Sequence, residues 1–241
     1  MKLERKQGIY EKYVKRFFDF ICSFLTIICF FWLYLILAVM VRIKMGSPVL
    51  FKQPRPGIVK NGRETIFDMY KFRTMTDERG ADGELLPDEK RLTPFGAWLR
   101  NTSLDELPQV FNVLRGDMSL IGPRPQLVRD MVFMSDEQRM RHTAKPGLSG
   151  LAQTQGRNLV TWDDKLAIDL KYIEKVSFWN DFKLLFGTVL VAIKQKGITD
   201  GENATALDYG DLLLKHGRVS KEKYDELQEY ARELIAEHER K

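Results

Sequence analysis

The N-terminal part of the chain, residues 1–48, consists of one long apolar stretch between two basic flanks. Residues 17–41 are 25 consecutive positions with a single charge, Asp19. A helix of that length crosses a hydrocarbon core of roughly 30 Å, whereas core helices and signal-peptide segments are shorter. The pattern therefore predicts a membrane-embedded helix.

The charges beside the apolar stretch bear on its topology. Six Lys or Arg residues precede it within residues 2–16, and six follow within residues 42–63. The positive-inside rule favours the cytoplasmic face for both flanks, as in a re-entrant helix. Such a helix usually bends at Pro or Gly, and residues 17–41 contain neither, which favours the alternative of a simple span. We expect the re-entrant form, with the bend at residues 30–34.

The hydrophobic pattern changes after Pro48. Strand-like segments at 49–52 and 65–72 flank the turn pair Asn61-Gly62, which predicts a β-hairpin. Helical patterns follow, and the segment 181–194 is apolar and has Trp179 before it, which is typical of an interfacial or core helix. Residues 146–156 are rich in glycine and predict a loop.

The C-terminal residues 201–241 predict a helical hairpin, because Gly217 can end one helix and Ser220 can cap the next. Its narrow apolar stripe would dock on the body or on a second copy, so a homodimer stays open. The expected fold is α+β and mainly helical. It divides into a membrane-anchoring segment (1–48), a compact catalytic domain with interfacial helices (49–200) and this tail (201–241).

Composition and charge narrow the function. The 241 residues carry 38 Lys and Arg against 33 Asp and Glu, and residues 201–241 are acidic on balance. The positive excess therefore lies in residues 1–200, which suits phosphate-rich partners or an anionic membrane surface. Nucleic-acid binding is disfavoured, because the basic residues are dispersed and form no aromatic-basic platform.

The candidate chemistry rests on carboxylates. The sequence contains no phosphate-binding glycine loop of the common types and no zinc motif, and its three histidines are scattered. Asp105-Glu106 is an acidic pair that follows Ser103 with the spacing of a capping box. A carboxylate near cationic groups can bind Mg²⁺ or attack phosphorus, although such a box is usually only a helix cap.

Four blocks of sequence carry a resemblance to a known family. They are YKFRTM (70–75), TSLDELPQVFNVLRGDMSLIGPRP (102–125), RHTAKPGLSGLAQTQGR (141–157) and DLKYI (169–173). In this order behind one apolar helix, they resemble the bacterial sugar transferases called monotopic phosphoglycosyl transferases. The resemblance covers roughly residues 10–198 and excludes the tail. Family members with a re-entrant helix typically carry Ser-Pro midway along it, where this chain has Phe31-Trp32.

The resemblance implies an enzyme that moves a sugar-1-phosphate from a UDP-sugar to undecaprenyl or another polyprenyl phosphate and releases UMP. This is the first membrane step of glycan assembly, placed at the cytoplasmic side of the bacterial inner membrane. Asp105 is implied as the nucleophile that forms a phosphosugar intermediate, Glu106 as its partner, and Mg²⁺ as the metal held by both. The other implied site residues are phosphate-binding Lys71, Arg100 and Arg124, and nucleotide-sugar-binding Gly147, Gln155 and Arg157.

Two other functions fit the sequence less well. A membrane-anchored scaffold of the same fold would not need the intact pair Asp105-Glu106. A nucleotide-sugar hydrolase would release UMP without any polyprenyl phosphate. The sequence does not identify the sugar or the glycan pathway.

Overall fold

The structure is a computed structural model that describes residues 3–154, 161–194 and 207–240. The helices are α1 (Lys15–Met45), α2 (Asp88–Arg91), α3 (Pro94–Asn101), α4 (Gln109–Arg115), α5 (Val128–Met131), α6 (Asp136–Arg139), α7 (Leu151–Thr154), α8 (Trp162–Glu174), α9 (Phe178–Lys194), α10 (Tyr209–Lys215) and α11 (Lys221–Glu239). The strands are β1 (Leu50–Lys60), β2 (Arg63–Phe72), β3 (Ser119–Ile121) and β4 (Gly147–Ser149). The fold is mainly helical with small sheets, as predicted.

Helix α1 contains the predicted apolar stretch. Its α-helical structure is unbroken at residues 30–34, where a bend was expected. Among the described residues, one helix is long and apolar enough to cross a membrane, and this is it. Large side chains along its middle, such as Phe24, Ile28 and Phe31, are exposed. Asp19 is tolerated because it is buried and its Oδ1 accepts a bond from Leu120 N at 3.0 Å.

Strands β1 and β2 form the predicted antiparallel hairpin, and both are longer than the sequence indicated. Asn61 and Gly62 have φ values of +53° and +76°, as a tight turn with two left-handed residues requires. The register is irregular between Pro56 and Val59, so the strand accommodates its prolines there. The end of β2 carries Phe72 into the core beside α1 and α3.

A second, parallel pair of strands was not predicted. β3 pairs with β4, which lies in the segment expected to be a loop. The pair depends on close backbone contact, because a Cβ on Gly122 or Gly147 would lie within 2.3 Å of the other segment's backbone. Three-residue strands are too short to show a periodic pattern, which explains why the sequence did not reveal them.

The C-terminal tail is a helical hairpin, as predicted, and of the two docking surfaces left open it packs on the body. Gly217 has a left-handed φ of +66° after α10, and Ser220 caps α11 through Lys223 N. Tyr209 on α10 and Ala231 on α11 are buried in two separate core clusters with residues of the body. The expected boundary at 200/201 lies outside the described residues.

Candidate active site

The acidic pair lies in a single 3₁₀ turn, Leu104–Glu106, that precedes α4. The predicted capping box is wrong. Ser103 adopts a left-handed φ of +55° and its side chain caps nothing. A continuous α-helix from Leu104 would place the ring of Pro108 against the carbonyl four residues earlier, so the α-helix begins only after the proline.

The apolar neighbours of the pair determine which way it faces. Leu104 and Leu107 pack into a core cluster with Leu37 and Val41 of α1. The hydroxyl of Tyr34 also donates to Leu107 O at 3.0 Å. Since these neighbours point into the core, the two carboxylates point away from it, and the apolar helix directly supports the turn that carries them.

Glu106 is held between two cations. Lys71 Nζ and Arg124 Nη2 donate to its Oε1 at 2.8 Å and 2.7 Å. Burial alone would raise the pKa of Glu106, but Arg124 and Lys71 outweigh it and hold the pKa well below its usual range. The two cations therefore favour the anionic form of Glu106, which fixes both basic side chains.

Asp105 is in a different electrostatic position although it is the next residue. It is 6% exposed, and its Oδ2 lies 3.8 Å from Lys71 Nζ. Burial raises the pKa of Asp105, Lys71 opposes that rise, and the charge of Glu106 adds to it. A poorly solvated carboxylate that makes no short ion pair is more basic, and hence a better nucleophile, than one engaged in two of them.

Both carboxylates border a cavity of about 1000 Å³. Lys71, Arg100 and Arg124 line the same cavity, so the structure brings the predicted phosphate-binding residues together around the acidic pair. Arg100 Nε also donates to Thr74 Oγ1 at 3.0 Å, which ties it to the segment after β2. The volume is that of a site for a small organic ligand.

The predicted nucleotide-sugar residues are placed differently. Gly147 lies in β4 outside the cavity lining, and its lack of a side chain permits the contact with Gly122. Gln155 and Arg157 lie outside the described residues. Of the three, Gly147 alone is described, and it does not line the cavity.

The sequence profile of the bacterial sugar transferases matches residues 10–195, which include α1, the hairpin and every described residue that lines the cavity. The chain belongs to the bacterial sugar transferase family. Helices α10 and α11 lie beyond the matched segment.

Individual sugar transferases show the same relationship. The uncharacterized sugar transferase EpsL of Bacillus subtilis is 45% identical over 193 residues, which are 80% of this chain and 94% of EpsL. The undecaprenyl-phosphate galactose phosphotransferase of Salmonella typhimurium is 36% identical over 78% of this chain and 42% of its own length. The undecaprenyl-phosphate glucose phosphotransferase of Komagataeibacter xylinus is 40% identical over 73% of this chain and 35% of its own length. The chain thus spans less than half the length of the latter two.

Sequence reasoning assigned no role to several side chains that line the cavity of this sugar transferase. Asp169 and Lys165 on α8 and Gln126 after the Arg124 turn all face it. Asp169 belongs to the DLKYI block, so its position in that block was the available signal. Their charges and amides extend the polar lining away from the acidic pair.

The carboxylate oxygens of the site are ligands of the type that Mg²⁺ prefers. Among the described residues, no three His, Cys, Asp or Glu side chains converge. Mg²⁺ is commonly held by one or two carboxylates together with substrate phosphates and water, so a larger cluster is unnecessary. Asp105 offers such a carboxylate, whereas an ion on Glu106 Oε1 would compete with Lys71 and Arg124.

Proposed function

We propose that this sugar transferase moves a sugar-1-phosphate from a UDP-sugar to a polyprenyl phosphate, such as undecaprenyl phosphate, and releases UMP. The observation that carries the proposal is the pair Asp105-Glu106 at one cavity, with Glu106 in two short ion pairs and Asp105 3.8 Å from Lys71 Nζ. The activities for which the Salmonella and Komagataeibacter relatives are named support the acceptor and the type of group transferred.

Asp105 acts as the nucleophile in two displacements. An oxygen of its carboxylate attacks the phosphorus that carries the sugar, and the bond from this phosphorus to the bridging oxygen breaks, so that UMP leaves with the electron pair. A phosphate oxygen of the polyprenyl phosphate then attacks the same phosphorus and displaces Asp105. The products are a polyprenyl-diphosphate sugar and the original carboxylate.

The basic residues bind and orient the charged groups during both displacements. Lys71 and Arg124 are fixed by Glu106, and Arg100 lies on the same cavity, so their charges face phosphate oxygens at little ordering cost. The carboxylate of Asp105 would hold a Mg²⁺ ion, which would supply further charge neutralisation of the diphosphate.

The contacts of α1 support a re-entrant placement in the cytoplasmic leaflet of the inner membrane. Arg16 donates to Val113 O and Leu114 O at 2.6 Å and 2.7 Å, while Tyr34 packs on Phe111 with ring centroids 5.5 Å apart. Arg16 and Tyr34 are about 27 Å apart along an α-helix, and both contact residues 107–114. Both ends of the apolar stretch therefore lie against one domain.

The exposed aromatic side chains favour the same placement. Phe178 and Trp179 on α9 are exposed, and the ring of Phe178 lies 5.9 Å from that of Phe18 on α1. Apolar surface thus continues from α1 onto α9, as expected for a helix in the membrane interface. A catalytic domain anchored in this way has access to a lipid substrate and to cytoplasmic UDP-sugars.

Cysteine labelling tests the topology. Lys6→Cys, at an exposed position, is made in a variant in which Cys22 and Cys29 are replaced. Asp82→Cys on an exposed loop of the catalytic domain is the matched control. We expect both to resist a membrane-impermeant maleimide in intact cells and to react after permeabilisation. Reaction of Lys6→Cys alone in intact cells would show a simple span.

UMP release tests the function and its alternatives. Purified protein in native lipid discs receives a panel of UDP-sugars with and without undecaprenyl phosphate. We expect sustained UMP release with at least one UDP-sugar, and only when the acceptor is present. Equal release without acceptor would indicate a hydrolase, and no release with any donor would favour a scaffold.

A further inference from the structure

The turn at residues 122–125 carries Arg124, and its backbone is held from outside at three successive carbonyls. Pro123 O accepts a bond from Gly147 N at 2.9 Å. The carbonyl of Arg124 accepts one from Arg141 Nη2 at 2.5 Å, and Pro125 O accepts one from Arg55 Nη1 at 3.1 Å. Pro123 and Pro125 also have fixed φ angles, so little freedom remains in the turn.

Arg141 is the most deeply buried of these donors. Its side chain has no exposed surface, and its Nε and Nη2 donate to Asp169 Oδ2 at 2.9 Å and 2.5 Å. Buried arginine is rare unless it is paired. Here one guanidinium binds α8 through Asp169 and the turn through the carbonyl of Arg124. A lysine ammonium is a point charge on a flexible stem and does not reproduce this planar geometry.

We propose that Arg141 and Arg55 are positioning residues that hold the 122–125 turn so that the guanidinium of Arg124 meets Glu106 and the phosphates beside Asp105. Asp169 acts with them by fixing Arg141. The inference rests on the proposed function and extends it to residues that make no ion pair with the acidic pair. The alternative is that these contacts serve stability alone.

A double-mutant cycle separates the two possibilities. Arg141→Lys and Arg124→Lys are made singly and together, and UMP release and the thermal midpoint are measured for each. If Arg141 acts through Arg124, Arg141→Lys lowers kcat/KM about 10- to 100-fold in the wild-type background and less than about twofold in Arg124→Lys. Its effect on the thermal midpoint is the same in both backgrounds. An equal loss of kcat/KM in both backgrounds would overturn the proposal.

The control is Arg139→Lys. Arg139 makes a bidentate pair with Glu64 at 2.7 Å and 2.5 Å two residues before Arg141, and it does not bond the turn. We expect it to lower the thermal midpoint and leave kcat/KM within about twofold, because Arg139 pairs with Glu64 and donates no hydrogen bond to the 122–125 turn. If Arg141→Lys does not fold, the same cycle is made with Arg55→Lys, because Arg55 holds the turn at the carbonyl of Pro125. Inactive wild-type protein would reject the proposed function, whereas an active wild type with additive losses would reject only the positioning role.

Discussion

Two partly buried glutamates, Glu106 and Glu64, illustrate how a reactive site differs from a structural ion-pair network. Glu106 Oε1 binds Lys71 and Arg124, and Glu64 binds Arg139 through both oxygens and His142 Nδ1 at 3.2 Å. Burial would raise the pKa of Glu64, but hydrogen bonds from the histidine and arginine lower it to about 2. The pKa of Glu106 is likewise lowered by its two cations.

The difference lies next to each glutamate. Glu106 has Asp105 beside it, with a pKa raised by burial and a carboxylate at a cavity of about 1000 Å³. Glu64 is 3% exposed in its side chain and does not line that cavity. A perturbed pKa therefore does not identify a reactive group by itself, since both networks have one. The distinguishing feature is a carboxylate that makes no short ion pair and borders a cavity of substrate size.

Among the tests of this comparison, replacing Asp105 should have the largest effect on activity. In Asp105→Asn we expect kcat/KM to fall by at least about 10⁴-fold, because the amide cannot act as the nucleophile. The thermal midpoint should change little or rise, since burial disfavours the charged carboxylate. UMP release and a melting curve on the same sample measure both quantities. Activity near that of wild type would contradict the nucleophilic role.

Removal of Mg²⁺ should abolish activity while Glu64 and its partners remain intact. We expect UMP release to disappear in EDTA and to return when Mg²⁺ is added in excess, since a hard dication suits carboxylate and phosphate oxygens. The thermal midpoint in EDTA serves as the control for unfolding. Full activity in thoroughly chelated protein would show that the basic side chains neutralise the phosphate charges without Mg²⁺.

Matched glutamine substitutions compare the two glutamates directly. Glu106→Gln should lower kcat/KM about 10²- to 10³-fold, because Lys71 and Arg124 lose the anion that orients them. Removing this charge should also lower the pKa of Asp105 and move the acid limb of the pH–rate profile to lower pH. Glu64→Gln should instead destabilise the fold by about 3–5 kcal/mol, as expected when one partner of a buried pair is lost.

The distinction between the two glutamates would be contradicted if Glu64→Gln lost activity without losing stability and Glu106→Gln lost stability alone. Thermal melts and pH–rate profiles of both variants, measured at a temperature well below their unfolding transitions, decide it. An unchanged kcat/KM in Glu106→Gln would show that Glu106 has no role in the reaction.

The smallest effect at neutral pH is expected at His142. Burial lowers the pKa of His142 to about 4, and the hydrogen bond to Glu64 only partly opposes this. Between about pH 6.5 and 4 the unfolded state binds a proton at this histidine and the folded state does not, so stability falls as the pH falls. His142→Gln should reduce this acid sensitivity by up to about 3 kcal/mol over the window. Denaturant unfolding at a series of pH values measures it, and parallel wild-type and variant curves would contradict it.

The elements with strong local signals were predictable from the sequence. The apolar helix, the Asn61-Gly62 hairpin and the capped tail each depend on neighbours within a few residues. Asp105 and Glu106, with Lys71, Arg100 and Arg124, were identified through the family resemblance, and the cavity brings these five residues together. Their chemical roles stay predictions.

The remaining features depend on tertiary contacts. The Ser103 capping box failed because Pro108 delays the helix, which a four-residue motif does not take into account. The contacts of Arg141 with Asp169 and of Arg55 with Pro125 O join positions 28 and 70 residues apart. Sequence periodicity reports only contacts between residues close in the chain. These positioning residues could therefore be recognised only from the folded structure.

The central claim is that Asp105 carries the sugar phosphate during the reaction, and intact-protein mass spectrometry tests it most directly. Wild-type protein is incubated with Mg²⁺ and the active UDP-sugar, first without and then with undecaprenyl phosphate. We expect the mass to increase by one sugar phosphate, located by fragmentation at Asp105, and to return to its original value when the acceptor is added. Asp105→Asn should gain nothing. An adduct on another side chain, or full turnover by Asp105→Asn, would contradict the account.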